Sequence, residues 1–183
     1  MHDMKSIFSL RRQKPEPYLT QVFAYILKRH RDYRNAILKE CFNLTNMDEN
    51  VNIIPEETTE EGRPDITICC KETSIAIEIK IDAGFTPQQL QKYKDEYDQV
   101  FLIYSYLSEP DQLKYADKSF TWFEIYSFTK SFLDRIKNDP VGKFLIEEFK
   151  KYLEEINMSI EKVDQIIIPG SKSLFKIRCP NLL

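Results

Sequence analysis

Two short runs, Asp65 to Cys70 and Ile75 to Ile81, constrain this chain more than anything else in it. In the first, Ile66, Ile68 and Cys70 alternate with Asp65, Thr67 and Cys69. In the second, Ile75, Ile77, Ile79 and Ile81 alternate with Ala76, Glu78 and Lys80. A period of two marks extended strands with one face turned into a core. Lys71, Glu72, Thr73 and Ser74 join the runs, so together they read as a β-hairpin. For both isoleucine rows to reach one core, even positions of the first strand must pair with odd positions of the second. That parity gathers Asp65, Glu78 and Lys80 on the other face, and a one-residue slip would expose a whole isoleucine row. A turn centred near Glu72 and Thr73 sets Asp65 opposite Lys80. Glu78 is then a diagonal neighbour of Asp65, about 7–8 Å away and within side-chain reach of a shared ion.

Two carboxylates and an ammonium on one patch ask for a cation, because the acids repel unless something positive lies between them. Mg²⁺ or Mn²⁺ suits such a pair, since Mg²⁺ takes one or two protein carboxylates and completes its shell with water and phosphate oxygens. Asp65 and Glu78 are the expected metal ligands, and the carbonyl of Ile79 between the charged residues is a candidate third. An ion so held would polarise a phosphodiester and acidify a bound water. Lys80 would orient or help deprotonate that water, or neutralise charge developing on the phosphate oxygens.

The remaining elements are read from spacing and punctuation. After Pro15 and Pro17, the residues Tyr18, Leu19, Val22, Phe23, Ile26 and Leu27 recur at helical intervals. Asp32 is the expected cap of a second helix carrying Ala36, Ile37, Cys41 and Leu44. Val51 to Ile54 reads as a short first strand within a polar stretch. A helix is expected from Thr86-Pro87 to about Tyr97, then a buried strand over Gln99 to Leu107, and a further strand over Phe120 to Ile125. Helices are expected at Ser127 to Lys137 and, with Pro140 at its first turn, Pro140 to Ile156. The implied class is α/β, a mixed central sheet flanked by helices, with extra C-terminal helices. One domain is expected over 1–183, with a core at about 16–125, a helical extension at about 126–165 and a tail at 166–183. The tail closes on Asn181-Leu182-Leu183 without polar residues, which sets the expectation of a piece cut from a longer protein, leading into a further domain.

Composition removes several classes of function. The chain has 183 residues, of which 42% are hydrophobic and only four are glycine, and no phosphate-cradling glycine loop occurs. No apolar run reaches membrane-spanning length and no secretory segment follows Met1, so the expectation is a cytoplasmic protein without membrane contact. Cys41, Cys69, Cys70 and Cys179 show no CxxC spacing and read as reduced, small hydrophobes. The net charge of −3 does not announce a nucleic-acid binder, but Lys5, Arg11, Arg12, Lys14, Lys28, Arg29, Arg31 and Arg34 cluster early. Such a segment either tracks phosphates or forms a solvated helix face. Arg11, Arg12 and Lys14 are its candidate substrate contacts. His30, between Arg29 and Arg31, reads as a surface or phosphate-facing residue. Trp122 and its aromatic neighbours Tyr104, Tyr106, Phe120, Phe123, Tyr126 and Phe128 read as core rather than as base-stacking platforms.

Pro64-Asp65 followed by Glu78-Ile79-Lys80 on the next strand resembles the PD-(D/E)XK nuclease superfamily. That resemblance implies a restriction-endonuclease-like αβββαβ core over roughly Glu16 to Ile125. Gln89-Leu90-Gln91-Lys92-Tyr93 is similar to the QLxxY helix of many members, which implies that Gln89 and Tyr93 face the site and contact substrate or water. Glu16, in Glu16-Pro17-Tyr18-Leu19-Thr20, resembles the first-helix glutamate that assists metal binding. The implied activity is Mg²⁺- or Mn²⁺-dependent hydrolysis of nucleic acid, DNA before RNA, with endonuclease action in phage defence as one setting. A catalytically inactive module that binds nucleic acid or a partner protein is the alternative. Homo-oligomerisation and fusion to a larger effector protein stay open as partner arrangements.

Overall fold

The structure, a computed structural model, describes residues 5–10, 15–44, 50–58, 62–71, 73–81, 87–105 and 110–160. Its centre is a five-stranded mixed sheet in sequential order: β1 (Val51–Pro55), β2 (Ile66–Cys70), β3 (Thr73–Lys80), β4 (Gln99–Tyr104) and β5 (Lys118–Thr121). The first three strands run antiparallel, and β3, β4 and β5 run parallel. Parallel neighbours need a crossover, and α3 (Pro87–Glu96) supplies the one between β3 and β4. The architecture is therefore the mixed α/β sheet flanked by helices that the element order predicts.

The expected parity holds. Ile66 pairs with Ile77 and Ile68 with Ile75, so both isoleucine rows face one core. That core is completed by α1 (Pro15–Arg29), α2 (Arg31–Ala36), α4 (Trp122–Leu133) and α5 (Pro140–Glu155), with Leu19, Phe23, Ile26, Tyr33, Trp122 and Phe149 fully buried among them. On the opposite face Ala76, Val100 and Leu102 pack against Leu90, Tyr93 and Tyr97, the last just past the end of α3. Ala76, which alternates with the isoleucines, lies on the face that α3 covers, where its small side chain belongs to the same packed cluster as Tyr93 and Leu90.

Several expectations are corrected. The hairpin connection is tight, Cys70 pairing with Thr73 and Lys71 turning the chain at a φ of 41°, rather than a four-residue link. Register therefore moves by two residues, and continuing it one step past Ile66 sets Asp65 opposite Glu78 instead of Lys80. The strand expected over Phe120 to Ile125 is β5, ending at Thr121. There the Thr121 hydroxyl accepts the Glu124 amide and the Glu124 carboxylate accepts the Thr121 amide, a capping box that starts α4 five residues before the expected Ser127. The expected core thus ends earlier, and the helical extension starts before 126. Strand β4 stops at Tyr104. The second helix is capped by His30, whose Nδ1 accepts the Tyr33 amide at 3.1 Å, while Asp32 sits in the first turn. His30 is 6% exposed and packs edge-on against Tyr33 and Phe132, which corrects its reading as a surface residue. Arg34 is likewise buried, so the basic run is not one continuous exposed face. Trp122 and Tyr126 belong to the core as expected, and Phe120, Phe123 and Phe128 pack against it. Tyr106, Cys179 and the tail at 166–183 lie outside the described residues. No helix among the described residues is long and apolar enough to cross a membrane.

Candidate functional site

The site forms at the C-terminal end of β3, where the start of α1 crosses the end of the sheet and α3 covers one face. In open α/β sheets the carboxyl ends of parallel strands are where ligand crevices arise. Glu78 is its centre. Alternation turns this residue away from the isoleucine core and under α3, where it is 2% exposed. A buried carboxylate must be paired and hydrogen-bonded, and Glu78 is both. Its Oε1 lies 2.8 Å from the Lys80 Nζ and accepts Gln89 Nε2 at 2.8 Å; its Oε2 accepts the Tyr93 hydroxyl at a longer 3.4 Å. Gln89 also donates to the Tyr93 hydroxyl at 3.1 Å, the two being one helical turn apart on α3.

Asp65 precedes β2, and its Oδ2 accepts the Ile79 amide at 2.8 Å. The carboxylate thus takes a hydrogen bond from β3 just where the β2 ladder ends. Glu16 arrives from the other side of the sheet. It lies within the first turn of α1, where an acid also favours the helix dipole. One of its oxygens accepts the Ile81 amide at 2.9 Å, and the other lies 3.5 Å from Lys80 Nζ. The structure therefore brings together Glu16, Asp65, Glu78, Lys80, Gln89 and Tyr93, with Ile79 on β3 between the two charged residues. Tyr93 is 1% exposed and contacts the Glu78 carboxylate rather than the open side of the site. Arg11, Arg12 and Lys14 lie outside the described residues.

The electrostatics follow from this crowding. Burial, and then the charge of Asp65, raise Glu78 from the ordinary carboxylate range to about 7. Asp65 is raised as well, again chiefly by burial, against the opposing pull of the Ile79 amide and Lys80. For Lys80, burial works to lower the value, but Glu78, Glu16 and Asp65 together outweigh it and hold the ammonium more firmly protonated than usual. Tyr93 is raised by burial and by Glu78, so its hydroxyl keeps its proton to donate. Burial is thus the largest cause at both acids, and their raised values reflect two carboxylates crowded into a poorly solvated place.

Three residues of the rim were not foreseen. Glu56, at the end of β1 with a φ of 51°, donates its amide to the Asp65 carbonyl at 3.0 Å. Its carboxylate accepts Gln21 of α1 at 3.0 Å and Arg63 at 3.2 Å. Gly62, at a φ of 149°, brings the loop against Tyr93: a Cβ there would stand 3.0 Å from the ring carbon Cε1. The Gly62-Arg63-Pro64-Asp65 string was the available signal for these neighbours, yet nothing in their spacing ties them to Glu56.

Among the described residues no group of three or more His, Cys, Asp and Glu side chains is arranged to hold a metal ion. The candidate donor set is the pair Asp65 and Glu78, although every acid here already has a partner: Lys80, Gln89 and Tyr93 for Glu78, the Ile79 amide for Asp65, and Lys80 with the Ile81 amide for Glu16. Two hard carboxylate oxygens suit Mg²⁺ or Mn²⁺ better than zinc, whose protein sites are mostly built with imidazole or thiolate ligands. Comparison with protein-family models, curated proteins and solved structures finds no match for this chain.

Proposed function

We propose that this protein is a metal-dependent nuclease of the PD-(D/E)XK kind, hydrolysing phosphodiester bonds of nucleic acid, DNA before RNA. The observation that carries the reading is the meeting, around one buried carboxylate, of six residues from four separated segments: Glu16, Asp65, Glu78, Lys80, Gln89 and Tyr93. The order of elements supports it too, since α1, β1 to β3, α3 and β4 follow the αβββαβ sequence of a restriction-endonuclease-like core, with α2 inserted.

In this reading Asp65 and Glu78 hold Mg²⁺ or Mn²⁺, with the Ile79 carbonyl as a candidate third ligand. The ion supplies Lewis-acid polarisation of the phosphate and an acidic bound water. Gln89 and Tyr93 fix the Glu78 carboxylate in orientation, the role of groups placed behind a ligand. Lys80, firmly protonated, acts as a cation that orients water and stabilises charge on the phosphate oxygens rather than as a base. Glu16 holds the Lys80 ammonium at the mouth of the site.

Incubation with DNA and Mg²⁺ tests the reading. Asp65→Ala and Lys80→Ala should each lose about 100-fold or more in cleavage rate while keeping the native circular dichroism spectrum. Cleavage unchanged in both variants would discard the assignment. A non-catalytic binding module is the second reading, favoured by the fact that Glu78 is already satisfied by Lys80, Gln89 and Tyr93. Calorimetry with Mg²⁺ or Mn²⁺ separates them, since absence of any metal-dependent heat, with or without nucleic acid, supports the module.

A further inference from the structure

We infer that Arg63 is the residue that receives the substrate's phosphate backbone at the mouth of the site, presented there by Glu56. The inference rests on the nuclease reading above and extends it to how the strand is held.

Charge poses the problem. Among the described residues Glu16, Glu56 and Asp65 bring three carboxylates around the buried Glu78, and Lys80 and Arg63 oppose them. A polyanion approaching such a rim needs a cation it can reach. Lys80 is the wrong one: its side chain is 13% exposed, and its ammonium is shared between Glu78 at 2.8 Å and Glu16 at 3.5 Å. Arg63 differs on both counts. Its side chain is 59% exposed, and its contact with Glu56 runs through Nη2 at 3.2 Å. A guanidinium carries five N–H donors in a planar fork, so one such bond leaves donors suited to bidentate capture of a phosphate.

Position supports the same conclusion. Arg63 stands two residues before Asp65, so their backbones are at most about 7 Å apart. Glu56 fixes that end of the loop twice, through its amide on the Asp65 carbonyl and its carboxylate on Arg63, and is itself tied to α1 by Gln21. A residue at φ 51° without being glycine is held there by its surroundings, and these three bonds are what hold Glu56. Glu56 is thus tied to both α1 and the Asp65 backbone, and the guanidinium is held at Glu56, whose charge acts on Asp65, before a strand arrives. An exposed arginine that is already oriented loses less rotamer freedom on binding than a wandering lysine.

Two measurements test this on the full chain. The first is steady-state cleavage of labelled DNA and RNA oligonucleotides with Mg²⁺ by the wild type, Arg63→Ala and Arg63→Lys. Arg63→Ala should lose roughly 10- to 100-fold in kcat/KM, expressed mainly in KM, with Arg63→Lys recovering part of it. Its dependence of log affinity on log salt should flatten by about one. The second is fluorescence anisotropy of the same oligonucleotides in an Asp65→Asn background, which keeps an acceptor for the Ile79 amide, with and without Arg63→Ala. Thermal melting and Mg²⁺ calorimetry of Arg63→Ala alone should be close to wild type. Cleavage and binding that ignore Arg63, or a loss confined to kcat and melting temperature with an unchanged salt slope, would overturn the inference and leave the nuclease reading intact. Arg63-dependent binding without cleavage by the wild type would retain the inference and remove the nuclease reading. Neither binding nor cleavage would remove both.

Discussion

Glu78 shows how one residue can be costly to the fold and useful to the site. Burial and the nearby Asp65 raise it to about 7, whereas the unfolded chain ionises it near 4.5. Between those two values the folded protein keeps a proton that the unfolded chain has released, so stability falls as pH rises through this window and levels off above it. Metal-free protein should therefore unfold at a lower urea midpoint at pH 8 than at pH 5.5, and Glu78→Gln should flatten that difference. A midpoint that rises from pH 5.5 to 8 in the wild type would contradict the account. Asp117 and Glu148 have the opposite sign. Burial raises each, but Lys94 with the Val100 amide, and Lys151 with the Ile7 amide, outweigh it and lower them. Their stabilisation is present above the ordinary carboxylate values and disappears only as pH falls below about 4.

At the scale of elements, the transition from β5 into α4 decides where the helical half of the molecule begins. Thr121 ends the strand and caps the helix, its hydroxyl accepting the Glu124 amide at 3.1 Å while Glu124 returns a bond to the Thr121 amide at 2.6 Å. Replacing Thr121 by alanine should cost about 1 kcal/mol in urea unfolding, because one helix-end amide loses its partner. Helix α4 buries Trp122, Ile125, Tyr126, Thr129 and Phe132 against the rest of the core. Loss of the cap should therefore appear as weaker protection of its first-turn amides in hydrogen exchange, with the sheet unchanged. Equal loosening of β3 would show that the capping box serves more than α4.

Among the described residues the sheet has unequal covers. Its isoleucine face carries α1, α2, α4 and α5, while the other carries α3 and a small cluster around Leu90, Tyr93 and Tyr97. The candidate site lies where the thinner cover meets the start of α1, so groups from both layers reach it past the end of β3. If Asp65 and Glu78 take a divalent cation, the ion cross-links β3 to the residue just before β2, beyond the end of their backbone ladder, and binding to the folded state alone raises stability. At 100 times its dissociation constant, Mg²⁺ should add about 2.7 kcal/mol, and Asp65→Ala should abolish the gain. Equal stabilisation of the variant would place the ion elsewhere.

Local sequence determined which side of the hairpin is buried, because period-two alternation admits only one parity that hides both isoleucine rows. With the parity came the shared face of Asp65, Glu78 and Lys80, and helical spacing likewise marked the inward side of α1. Distances across the hairpin were beyond it: Lys71 turns the chain more tightly than a four-residue link, and that alone exchanges Lys80 for Glu78 opposite Asp65. The burial of His30 and the hold of Glu56 on Arg63 were also decided by tertiary structure, His30 by its packing on Phe132 and Glu56 by bonds to α1 and the Asp65 loop. The physical reason is range. Alternation and caps are settled by neighbours along the chain, whereas pairing between distant polar groups is settled only once the core has fixed where each backbone runs.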